Sequence, residues 1–110
     1  MSPKVFELVR SLAGREFDFE QTMHVLTADR NIWWSWGVSN GKCSSKWIVF
    51  KTNGHHHKGW VLITLGWEDL YKVRLITTHG RITAERDGLY FDQIVDYIDE
   101  KVEKISAYEH

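Results

Sequence analysis

Only one cysteine, Cys43, and one proline, Pro3, occur in this chain of 110 residues. A lone cysteine excludes an intramolecular disulfide, which points to a reducing compartment and a cytoplasmic location. No run of about 18 apolar residues is present, so no membrane span is expected. The N-terminus has no apolar stretch of signal-peptide type, and export is not expected either. H-E-x-x-H, C-x-x-C, a Gly-rich phosphate loop and a G-x-S-x-G elbow are all missing, so no cofactor is expected. The most informative absence is local. Between Arg30 and Trp67 there is no Asp or Glu, although five carboxylates precede this stretch and ten follow it.

What fills that stretch is equally uneven. It holds all six tryptophans (Trp33, Trp34, Trp36, Trp47, Trp60 and Trp67), five Lys or Arg residues and the run His55-His56-His57. A buried sheet favours aromatic residues and disfavours Asp and Glu. A surface that stacks aromatics against an anionic partner has the same composition. Hydrophobic content of 43% with 26% charged residues places the chain among ordinary globular proteins rather than disordered ones. Its length suits a single domain over residues 1–110.

The hydrophobic pattern predicts an α+β fold. Ser2 as N-cap and Pro3 at the first helical position open a helix that ends before Gly14, with Val5, Leu8, Val9 and Leu12 on one stripe. A C-terminal helix is predicted from about Phe91 to about Ile105 on the apolar stripe Phe91, Ile94, Val95, Ile98, Val102 and Ile105. Asn40-Gly41, Asn53-Gly54, Gly66, His79-Gly80 and Asp87-Gly88 punctuate the middle as hairpin turns would. They predict strands near 19–27, 31–38, 45–52, 59–65, 70–78 and 81–86, hence a five- or six-stranded antiparallel meander with both helices packed on one face. The first of these pieces also fits a helix, since Asp18 with Gln21 resembles a capping box and Phe19, Thr22, Met23 and Leu26 fit a helical stripe. The alternation of Phe17, Phe19, Met23 and Val25 favours the strand.

A period of two divides the sheet into two faces. Ile32, Trp34, Trp36, Val38, Ile48, Phe50, Trp60, Leu62, Tyr71, Val73 and Leu75 are expected in the core, each contributing roughly 1.5–3 kcal/mol on burial. The opposite face is expected to carry Trp33, Trp47, Lys51, Lys72 and Arg74 around Val49, Val61, Ile63, Leu65 and Ile76. Two helices cover one side of such a sheet, which leaves this aromatic and basic face open. The expectation is therefore a small non-enzymatic binding or regulatory protein. It would use Trp33, Trp47, Lys51, Lys72 and Arg74 to self-associate as a homodimer or to bind a protein partner. The alternative is a single-stranded nucleic-acid binder using the same face, which the formal net charge of −1 disfavours.

Three further features carry weaker expectations. His55 and His57 project to one side if extended and could hold a metal, but four ligands at zinc spacing are absent. His24, His57, His79 and Lys58 are candidates for acid–base cleavage of RNA, though nothing in their spacing joins them. Asp92, Asp96, Asp99, Glu100 and Glu103 form an acidic stripe, expected on the solvated side of the last helix.

Overall fold

The computed structural model describes residues 3–54, 56–66 and 69–102. Its order is α1 (Pro3–Ser11), α2 (Phe19–Leu26), α3 (Arg30–Ser35), β1 (Ser39–Ser44), β2 (Trp47–Asn53), β3 (Lys58–Leu65), β4 (Tyr71–Ile76), β5 (Ile82–Leu89) and α4 (Ile94–Val102). A single 3-10 turn, Phe91–Gln93, leads into α4. The five strands form one open antiparallel sheet in sequence order, so the α+β meander bracketed by an N-terminal and a C-terminal helix is as expected. Ser2, Glu103 and Ile105, which belonged to the expected helix ends, lie outside the described residues.

Two expected strands are helices instead. Asp18 caps α2 by accepting from the Gln21 backbone N–H at 3.1 Å, and Asp29 caps α3 by accepting from Asn31 and Ile32. The caps satisfy amide donors that a helix start would otherwise leave orphaned. Helical spacing then turns Ile32, Trp33 and Trp36 inward and sends Trp34 out, where it is 68% exposed. The expectation that Trp34 shares the core with Trp36 is thus corrected. Gly37 ends α3 at φ +61, a left-handed conformation that favours glycine.

Asn40-Gly41, read as a hairpin turn, lies inside β1. Ser39 pairs with Lys51 and Lys42 with Val49, so Asn40 and Gly41 together oppose Phe50. That is a bulge, and its first residue Asn40 has φ 50. The chain reverses at Ser45-Lys46 instead.

Pairing across the sheet fixes its two faces. Ile48 pairs with Ile63 and Ile63 with Val73, Phe50 pairs with Val61 and Val61 with Leu75, and Leu65 pairs with Tyr71. These residues pack with Leu26, Trp36, Ile94, Tyr97, Ile98 and Val102 from α2, α3 and α4. The indole of Trp36 stacks on Phe50 at 6.3 Å and donates through Nε1 to the Asp99 carboxylate at 3.0 Å. Asp99 therefore leaves the solvated acidic stripe to tie α4 to the end of α3. On the second face Val49, Trp60, Leu62 and Ile76 are buried under Val5 and Val9 of α1. The helices thus lie on opposite faces, not on one. With α2 and α3 formed, the first face has cover without α1, which is left to close the second.

Ile76 separates the two arrangements. On an uncovered face, Ile76→Ala would change stability by within about 0.5 kcal/mol. Buried beneath α1, the truncation is expected to cost about 2–5 kcal/mol in urea unfolding.

Candidate functional site

The strip of the second face that α1 leaves open lies at the Trp47 end of β2. Lys72 and Arg74 are two apart on β4, and their cross-strand neighbours on β3 are Thr64 and Leu62. The segment after α1 is stitched to this end of the sheet. Gly14 N–H donates to the Lys46 carbonyl at 3.3 Å, Arg15 N–H to the Leu65 carbonyl at 2.8 Å and Phe17 N–H to the Ser45 carbonyl at 3.0 Å. The approach is so close that a Cβ on Gly14 would sit 2.3 Å from the Leu65 carbonyl oxygen. Backbone contact of this kind requires glycine.

The stitch brings Arg15 and Lys46 beside Lys72 and Arg74. Together these four cations line a groove of about 770 Å³, in which Glu16 is the only carboxylate among the described lining residues. Arg74 is held firmly, its side chain only 11% exposed. Its Nε donates to Glu85 at 3.3 Å and Nη1 to the Thr64 hydroxyl at 3.5 Å. Lys72 reaches the same Glu85 oxygen at 3.8 Å, so two cations share one carboxylate. Arg15 pairs with Asp69, which is largely exposed. The Arg15–Asp69 pair is exposed and contributes about 0–1 kcal/mol, whereas at Glu85 the carboxylate is half-exposed but Arg74 is nearly buried.

The other residues singled out from sequence lie elsewhere. Trp47 is on the same face but turns toward α1, its ring edge-on to Phe6 at 6.4 Å, and it does not line the groove. Lys51 is opposite Trp60 at the far end of the strip that α1 covers, beside Lys58 and Thr78. Trp33 belongs to the other side of the sheet, 5.2 Å from Phe50 and 5.8 Å from Trp36. The expected five-residue platform therefore does not form. Lys72 and Arg74 come together, joined by Arg15 and Lys46. Those two were missed because one sits in a linker and the other in a turn. A signal was present for Lys46, which precedes Trp47 within the carboxylate-free stretch.

The histidines do not converge on the groove. His55 lies outside the described residues, and among those described no group of three His, Cys, Asp or Glu side chains is placed to hold a metal. His24 is exposed in the last turn of α2, and His79 is exposed between β4 and β5. His57 is buried. Its Nε2–H donates to the Trp60 carbonyl at 3.1 Å, which assigns the tautomer because a carbonyl can only accept. Burial pushes the imidazole below its ordinary value of 6.5, against a smaller upward pull from that hydrogen bond.

This sets a pH dependence. Below pH 6.5 the unfolded chain takes up a proton that the folded imidazole resists. Stability is thus full above that pH and falls as the pH drops toward the depressed folded value. Urea midpoints taken from about pH 7.5 to about pH 5.5 are expected to fall for wild type and to fall less for His57→Asn. Equal slopes would remove His57 as the source. Comparison with known families, characterised proteins and solved structures finds no match to this chain.

Proposed function

We propose that this is a non-catalytic binding protein whose cationic groove takes a carboxylate-rich segment of a protein partner. One observation carries the reading: Arg15, Lys46, Lys72 and Arg74 converge on a single groove at the end of the second face beyond α1. Protein interfaces favour arginine held in place by its neighbours, and the clamp of Thr64 and Glu85 on Arg74 provides that. A stacking platform for nucleic-acid bases needs exposed aromatics along the track. No aromatic side chain is among the described residues that line the groove. The net charge of −1 also weighs against a general polyanion binder. Self-association was motivated by an open apolar sheet face. With α1 seated on Val49, Leu62 and Ile76 that motive is gone, and a separate partner is the better reading.

Fluorescence anisotropy with a labelled Glu- and Asp-rich peptide tests this, with oligothymidylate as the competing probe. Wild type is expected to bind the peptide more tightly than the oligonucleotide. The double change Lys46→Glu/Lys72→Glu, at one exposed and one part-buried lysine, is expected to weaken peptide binding at least about tenfold while leaving the far-ultraviolet circular dichroism unchanged. Tighter binding of oligothymidylate, weakening steeply with salt, would favour the nucleic-acid reading instead. Twice the monomer mass in light scattering would restore the homodimer.

A further inference from the structure

On the face opposite the groove, at the β1 edge of the sheet, an open cavity of about 260 Å³ lies between α2, α3 and the β1–β2 hairpin. Its walls are Met23 from α2, Trp33 from α3, Val38, and Ile48 and Phe50 from β2, with Cys43 on the edge strand. Trp33 and Phe50, ring centroids 5.2 Å apart and tilted 58°, pack on each other and form one continuous aromatic wall. Among the described residues no carboxylate lines the cavity. Its one charged lining residue, Lys42, is opposite Val49, whose side chain belongs to the α1 side of the sheet.

The cavity sits where the bulge of β1 interrupts the strand. Asn40 and Gly41 together oppose Phe50, and Gly41 is part of the cavity lining. Bulges bend an edge strand and end regular pairing beside binding sites. Here the bulge also breaks the outer edge, so an extended partner segment cannot add to β1 in register. That favours an occupant smaller than a peptide. An apolar cavity of about 150 Å³ accepts benzene, so one of 260 Å³ matches a body of about two fused rings.

We infer that this cavity is a binding site for a small, uncharged, apolar molecule of about two-ring size, seated against Trp33 and Met23 over Val38 and Ile48. Occupancy brings a ligand ring against an indole and a thioether, contacts that favour aromatic over saturated bodies. An ionised head group drawn inside would lack a partner, and burial of an unpaired charge is costly.

The test uses 2-naphthol as the neutral probe and 2-naphthoate as its charged counterpart, titrated by calorimetry with the methyl resonances of Met23, Val38 and Ile48 as reporters. Wild type is expected to bind 2-naphthol with Kd of about 1 mM or tighter and 2-naphthoate at least tenfold more weakly. Cys43 is exposed, so Cys43→Phe has room to fold and fill the cavity mouth. That variant is expected to lose 2-naphthol binding at least tenfold with its far-ultraviolet circular dichroism unchanged. A second variant, Val38→Trp, fills the cavity from another wall and is expected to give the same loss. The inference is overturned if wild type binds no 2-naphthol, if both filled variants bind it undiminished, or if the naphthoate binds as tightly.

Discussion

Burial of β3 on both sides is the constraint from which the rest of the structure follows. From Gly59 to Leu65 every residue of this central strand is buried, and successive side chains point to opposite faces. Val61 and Ile63 look to one side, Trp60 and Leu62 to the other. Neither face of the sheet can be left in water. Each demands a helical cover, and the chain supplies α1 for one side and α2, α3 and α4 for the other. The covers are not interchangeable. Helix α1, nine residues long, spans only part of its face, whereas the opposite side receives three helices, of which the end of α3 and α4 are joined by the Trp36–Asp99 hydrogen bond.

Such packing leaves chemistry at the margins. Where α1 ends, the chain must return to the sheet, and the backbone stitch through Gly14, Arg15 and Phe17 carries it there. The same stitch places a guanidinium beside the β1–β2 turn and the start of β4, so the cationic groove is a consequence of how the helix is tied down. On the other side the bulge at Asn40-Gly41 bends the edge strand next to Phe50 and leaves space under Trp33. Both sites lie at the edges of a core that is otherwise closed. Their characters differ because one is bordered by a linker and charged strand positions, and the other by an aromatic wall.

Much of this was legible in the sequence, for identifiable reasons. The stripes of α1 and α4 and the strands β2 to β4 have clear periods bounded by turn residues, and these elements formed. Strand β3, however, is turned over by one residue of register: Val61, Ile63 and Leu65, expected on the open face, join Ile48 and Phe50, while Trp60 and Leu62 lie with Val49. The stretch 31–38 failed because Ile32, Trp33, Trp34 and Trp36 satisfy both a period of two and one of 3.6. The Asp29 cap decided between them. Asn40-Gly41 misled because a left-handed Asn serves a bulge as readily as a tight turn. Those two misreadings made the second face look bare. Lys72 and Arg74 were legible as neighbours from their spacing alone. Arg15 and Lys46 were not, since tertiary hydrogen bonds and no local pattern bring them to the same place.

The central claim is that binding belongs to the strip of sheet left open beyond the end of α1. Amide chemical-shift mapping with the acidic peptide addresses it most directly, because it locates the contact without assuming which residues matter. Perturbations are expected to cluster at Arg15, Lys46, Thr64, Lys72 and Arg74, with α4 unaffected. Shifts confined to α4 or to the β1 edge, or an unchanged spectrum at saturating peptide, would contradict the account.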